Sequence, residues 1–208
     1  MSFDASLDGR KTFGVSGLLY NSDVLLYDRE TDSLWSQILE KSVSGPMVGK
    51  SLKSIVTLNT KWGSWKTSHP STLVLSLETG HPSKYKERGY SGYNRQNGVM
   101  FPVKNRNKTY HTKARVLGLT INGQSKAYPF LELAFEGADV QDNVGGQTIT
   151  VRYNVESETA QALNKSGSLI PATELYWFAW YAFHPDTEIF SSAKTPPNRR
   201  KRWQINVP

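Results

Sequence analysis

One fifteen-residue pattern occurs twice in this chain without a gap. Residues 62–76 read WGSWKTSHPSTLVLS and residues 177–191 read WFAWYAFHPDTEIFS. Both fit W-x-x-W-x-x-x-H-P-x-T-x-x-x-S, so Trp62, Trp65, His69, Pro70, Thr72 and Ser76 reappear as Trp177, Trp180, His184, Pro185, Thr187 and Ser191. The pattern takes four of the six Trp and two of the four His, so any fold must accommodate it twice. On a helix, positions i, i+3 and i+7 share one face, which aligns the two Trp and the His of each copy. The proline pushes the preceding His toward extended geometry and stops the helix there. The Thr then opens a strand. Each copy reads as strand, helix, strand, and two copies point to duplication within one fold rather than a solenoid. The second copy is apolar all round, which predicts the central helix of the domain.

The packing reading of this block is the stronger one. Paired Trp on a helix face are usually core, each burying some ~150–250 Å². A His at a helix C-terminus is commonly a cap favoured by the dipole. The chemical alternative makes His69 and His184 general bases. A metal site is not indicated, because neither copy contains H-x-H, H-x-x-x-H or H-E-x-x-H, and His81 and His111 add no ligand spacing.

The rest of the chain reads as a β-rich α+β fold of antiparallel meanders and hairpins with two short helices, one per block, and PFLELAFEG as a further helical stretch starting at Pro129. Hairpin turns are expected at Asp8-Gly9, at Asn21-Ser22-Asp23, at Glu30-Thr31-Asp32 and at Asn122-Gly123. TLVLSLETG reads as an apolar strand and VGGQTITVRYNV as a half-buried one. SLIPATELYWFAWYAFHP reads as one helix, with Pro171 and Thr173 at its start and Pro185 at its stop. Residues 1–191 are expected to form a single duplicated domain, with repeat one over about 1–110 and repeat two over about 111–191. Residues 192–208 are expected to be a basic C-terminal tail.

Composition excludes several function classes. With no Cys there is no disulfide, thiol catalysis or thiolate metal site. No apolar run approaches the roughly 20 residues that span a bilayer. The N-terminus shows no signal peptide, which by default places the chain in the cytoplasm. Net charge is +7, but Arg199, Arg200, Lys201 and Arg202 supply four of the positives. The basic character is thus largely a tail property. Nucleic acid or another anionic polymer is a third option behind the two below, because no recognition module accompanies the charge.

Together these residues resemble a known family. DGRKTFGVSGLLYNSDVLLYDRETDSLWSQ, the first W-x-x-W-x-x-x-H-P block, ETG with Tyr85, Tyr90 and Tyr93, SKAYP, and the closing WFAWYAFHPDTEIF resemble the prokaryotic domain of unknown function 3179 (DUF3179) over roughly residues 3–191. The resemblance implies kinship without a mechanism. It also implies an N-terminally truncated member, because the family's Tyr-Cys-Pro-x-x-Cys-like motif would precede Phe3. An exposed sheet edge near the N-terminus is then expected, for a protein partner or second subunit to cover. Family members are often exported, as the resemblance implies.

Two functional readings remain. The first is a binding or structural module with an aromatic-basic groove around residues 80–110, where Tyr85, Tyr90, Tyr93 and Arg95, with Lys126 nearby, would hold a ligand. The second is an enzyme with a His-centred site between the two repeats, using His69 or His184 with Asp23 and Arg29. The ligand, the reaction and any cofactor are unknown at this level. No P-loop, dinucleotide fingerprint or nucleophile elbow is present.

Overall fold

The computed structural model describes residues 1–9, 11–80 and 92–201. The chain opens with β1 (Ser2–Asp4), followed by an antiparallel meander of β2 (Phe13–Tyr20), β3 (Asp23–Asp28), β4 (Leu34–Ser36) and β5 (Lys41–Ser44) in that spatial order. The Asn21-Ser22 turn forms as expected, with φ of 48° and 65°, the doubly left-handed geometry that matches strand twist. The next turn is built around a fully buried carboxylate. Asp28 accepts the Thr31 N–H at 2.6 Å and the Trp35 indole N–H at 2.8 Å. This accounts for the D-x-x-T-x-S-x-W spacing. Burial alone would raise the Asp28 carboxyl, but these donors hold it below the usual range.

The Asp8-Gly9 turn forms too, with both φ positive, but it does not join a hairpin. β1 instead pairs antiparallel with β6 (Lys53–Ile55), from Ser2 against Ile55 to Asp4 against Lys53. The pairing of β2 goes entirely to β3. A turn fixes local reversal, and the choice of partner strand is made by the available edges.

After β6 comes α1 (Trp62–Ser68), and here one expectation fails. Residues 72–80, read as an apolar strand, form none. A strand exists only with a partner to complete its ladder, and no described neighbour supplies one.

The second half is built on the hairpin β7 (Arg115–Ile121) and β8 (Gln124–Pro129), turned at Asn122-Gly123. Pro129 leads directly into α2 (Phe130–Glu136), which ends on Gly137 at φ 69°. Then follow β9 (Val140–Val144), β10 (Gln147–Asn154), β11 (Thr159–Asn164) and β12 (Leu169–Ile170), a sheet ordered β12-β11-β10-β9. The long helix read from SLIPATELY onward is not continuous. Thr173–Tyr176 is a strand, β13, antiparallel to β7, and the helix α3 is only Trp177–Phe183. The open edge of β7 captures this Thr/Leu/Tyr-containing segment before the helix begins. β14 (Glu188–Ile189) closes the sheet β13-β7-β8-β14 by pairing parallel with β8. Among the described residues the α-helices are therefore three, each short, in a mainly antiparallel β fold.

The β7–β8 hairpin separates two cores by the period-two alternation of its side chains. Leu117, Leu119 and Tyr128 face α2, β9 and β10 with Phe130, Val144, Ile149 and Val151. Val116 and Ala127 face α3 with Trp177 and Trp180. Gly118 lies on the second face because Trp180 occupies the space beside it. A Cβ there would sit 2.6 Å from Trp180 Cδ2 and closer still to two other ring atoms.

Residues 192–201 belong to this fold rather than to a solvated tail. Ser192 and Thr195 are buried, and Arg200 Nε donates to the fully buried Glu132 of α2 at 2.7 Å. Residues 202–208 lie outside the described residues.

Candidate functional site

The two blocks build the same local unit. In each, the imidazole stacks on the second Trp with ring centroids 3.9 Å apart, Trp65 with His69 and Trp180 with His184. The His backbone N–H donates to that Trp carbonyl, at 2.8 and 3.0 Å. The Trp indole N–H donates to the Thr hydroxyl seven residues on, Trp65 to Thr72 at 3.0 Å and Trp180 to Thr187 at 2.9 Å. The Thr N–H then donates to the His carbonyl at 3.1 Å in both. Trp, His, Pro and Thr thus form one closed element that ends a helix and redirects the chain. The helix is capped by the His backbone, while the ring lies flat on the indole.

Their surroundings differ. In α3, Trp177, Trp180 and Ala182 are buried, whereas α1 has no buried residue. This contrast sets an expected outcome. Thr187→Val should destabilise by about 1–2 kcal/mol, because it orphans a shielded indole donor, while Thr72→Val should stay within roughly 0.5 kcal/mol, since water replaces the bond. Urea unfolding of the two variants checks this.

His184 lies between two cavities. Its Nδ1 is 3.1 Å from Ser125 Oγ, which is 2.8 Å from Thr120 Oγ1. Its Nε2 is buried and has no hydrogen-bond partner among the described residues. Burial pushes its pKa down to about 4, so the ring is neutral at pH 7 and a weak base. One cavity, of 460 Å³, separates the meander from β7 and β13 and is lined by Glu40, Leu52, Thr120, Trp180 and His184, among others. Burial raises the Glu40 carboxyl. The other, of 500 Å³, is polar and includes Gln124, Ser125, His184 and Glu188. Among the described residues, no carboxylate is hydrogen-bonded to either repeated His, and no group of three or more metal-ligating side chains occurs.

Lys126 sits at the edge of this region in an ion-pair cluster. Its Nζ lies 3.0 Å from Asp142 and 3.2 Å from Glu188, and Tyr128 OH donates to Asp142 at 2.8 Å. Burial opposes the charge on Lys126, but the two carboxylates raise its pKa above the ordinary value. Its ammonium is committed to the β8–β9–β14 junction.

The remaining candidates are dispersed. Asp23 accepts from Ser36 Oγ at 2.9 Å, and burial raises its carboxyl. Arg29 Nη1 donates to the Phe13 carbonyl at 2.6 Å. No hydrogen bond links Asp23, Arg29, His69 and His184 to one another. Tyr93 packs 6.1 Å from Tyr176, with the buried Lys113 ammonium 4.0 Å from its ring centre. Arg95 ends the short 3-10 turn Tyr93–Arg95. Tyr85 and Tyr90 lie outside the described residues. Arg200, at the centre of the basic cluster, is paired with Glu132 and Ser191.

A family model described as a protein of unknown function, DUF3179, matches residues 1–169. The chain belongs to the DUF3179 family. No curated protein and no solved structure matches it. Among the described residues, no helix is long and apolar enough to cross a membrane.

In this DUF3179 chain one exposed surface escaped the sequence reading. Leu73, Val74, Leu75 and Leu77 are 95%, 67%, 77% and 69% exposed, and Ile55, Leu58 and Trp62 of the same stretch are also exposed. Its signal in the sequence is the apolar run TLVLSL, which alternation and composition alone do not distinguish from a packed strand.

Proposed function

We propose that this DUF3179 chain is a protein-binding module whose docking surface is the first block and its flanks, residues 55–77. The observation that carries the reading is the contrast between two units of identical local geometry. In the second block Trp177, Trp180 and Ala182 are buried and Ile189 and Phe190 half-buried, whereas in the first Trp62, Leu73, Val74 and Leu75 face solvent. Exposed apolar residues scattered singly need no explanation, but eight within 23 consecutive positions do. The basic cluster supports a nucleic-acid reading less well, because Arg200 is engaged internally.

The test is a Leu73→Asp/Leu75→Asp double variant. Folding stability should change by less than roughly 0.5 kcal/mol, since neither side chain is packed. Binding of an apolar fluorescent dye by the folded protein should fall severalfold. Unchanged dye binding, or none in the parent, sinks the reading.

A ligand site at His184 is the second reading, favoured by the unpartnered Nε2 beside the 460 Å³ cavity. Stoichiometric metal in the purified protein, lost in His184→Ala with circular dichroism unchanged, would favour it.

A further inference from the structure

We infer that the 460 Å³ cavity between the meander and the strands β7 and β13 is a binding site for a small uncharged molecule that carries a hydroxyl or amide group. This deepens the His184 reading above and rests on it, while the 55–77 surface plays no part.

Distant parts of the chain build the walls. Ile38 and Glu40 come from the turn between β4 and β5, and Leu52 and Ser54 from the segment after β5. Facing them, β7 supplies Leu119 and Thr120, and Trp180 and His184 complete the lining. Two polar atoms of these walls, His184 Nε2 and Ser54 Oγ, are buried without a well-formed hydrogen bond among the described residues. Buried polar atoms are nearly always paired, and an unpaired one is costly. The two exceptions lie far apart in sequence and meet at one cavity, and a bound molecule with polar groups of its own accounts for both. Glu40 adds a third sign. Its φ is 55°, a left-handed conformation that disfavours a residue with a Cβ, and such strain collects at binding sites. The Leu52 N–H donates to the Glu40 carbonyl at 2.7 Å and holds it there.

The lining sets the chemistry of the ligand. Ile38, Leu52, Leu119 and Trp180 are all buried and offer an apolar bed for its body. Its polar group meets His184. When Ser125 donates to Nδ1, Nε2 is an N–H donor, and when Nδ1–H donates to Ser125, Nε2 is an acceptor. Ser125 can take either role because its other neighbour, Thr120, is also a hydroxyl. A hydroxyl or an amide answers both tautomers. A charge is answered by neither wall. No Lys or Arg occurs among the described residues of the lining, so an anion finds no counter-charge. Burial also disfavours the charged forms of His184 and Glu40, so a cation gains little there. An unpaired ion would lose its hydration for no return.

The probes are benzamide, benzoate and benzamidinium, which share one shape and differ in charge. Each is titrated at pH 7 into the full chain while the ring nitrogens of His184 are followed by NMR, with His184→Gln identifying their signals. Benzamide should shift Nε2 and saturate with a Kd of about 10 mM or tighter, as ligand efficiency predicts for a molecule of its size. The two ions should bind at least about tenfold more weakly. Ser54→Leu fills the cavity from the opposite wall and should abolish the shift. Its urea midpoint should stay level or rise, because no partner of Ser54 loses a bond. Equal affinity for the three probes, tighter binding of either ion, no saturation by benzamide up to its solubility limit, or a shift that persists in Ser54→Leu overturns the inference. Stoichiometric metal lost in His184→Ala also overturns the uncharged ligand but leaves the His184 reading standing. Neither metal nor benzamide binding would remove both.

Discussion

Glu132→Ala is expected to destabilise the protein by about 3–5 kcal/mol, the scale for removing one partner of a buried charge pair. The Glu132 side chain has no solvent exposure, and three donors converge on it. Tyr110 OH reaches Oε1 at 2.6 Å, Arg200 Nε reaches Oε1 at 2.7 Å, and the Ser192 N–H reaches Oε2 at 2.9 Å. Burial pushes the Tyr110 hydroxyl well above the ordinary phenol range, so it remains a donor at every accessible pH. Alanine would leave a guanidinium, a phenol and a backbone amide without their acceptor. Glu132→Gln keeps the shape and one acceptor oxygen, and should lose roughly half as much. Urea unfolding measures both. The same variants should expose residues 192–201 to proteolysis, since Ser192 and Arg200 are held to α2 through this carboxylate. A loss below about 1 kcal/mol for the alanine variant would mean that the C-terminal segment does not pack as described.

That segment illustrates what local pattern can and cannot read. RRKR was legible as charge, but the pairing of Arg200 with Glu132 spans 68 positions and has no local signature. Features set within a few residues were readable. The Asn21-Ser22 and Asn122-Gly123 turns, the helix start after Pro129 and the half-buried strand Gln147–Asn154 all follow from backbone preference and alternation. Features set by a distant edge were not. Thr173–Tyr176 became a strand because β7 offered it a ladder, and residues 72–80 did not because nothing did. The Asp8-Gly9 turn formed while its two arms found other partners.

The candidate site divides in the same way. The Trp, His, Pro and Thr of each block were visible as a recurring pattern, and the stack and the indole bond are contacts within seven residues. The 59-residue link from His184 to Ser125 was not visible, nor was the cavity that the meander closes over it. Two copies of one sequence pattern therefore carry different consequences. What separates them is burial: α3 packs against β7 and β8 with Trp177 and Trp180 in the core, whereas α1 has no buried residue.

His184 gives that burial a measurable signature in pH. Its folded-state pKa is about 4 against an ordinary 6.5, so the unfolded chain binds this proton more readily. Stability is then full above pH 6.5, falls as pH drops through the interval, and levels off below about 4. The total is about 3 kcal/mol from this ring alone. His111, also lowered by burial, acts in the same direction. Glu40, raised by burial in the same cavity as His184, acts in the opposite direction, because its folded form takes up a proton more readily than the unfolded one. Asp28 and Asp142, lowered by their donors, lose their contribution only at lower pH, whereas Asp23 and Glu174, raised by burial, act in the window in the same direction as Glu40. Urea unfolding at pH 7 and pH 4.5 separates the imidazole from these carboxyls when the parent is compared with a variant that lacks it. His184→Gln, which keeps a polar planar group near Ser125 but cannot take the charge, should lose less by about 2–3 kcal/mol. Equal slopes for the two proteins would mean that the imidazole is solvated, and that the indole stack of the second block does not shield it.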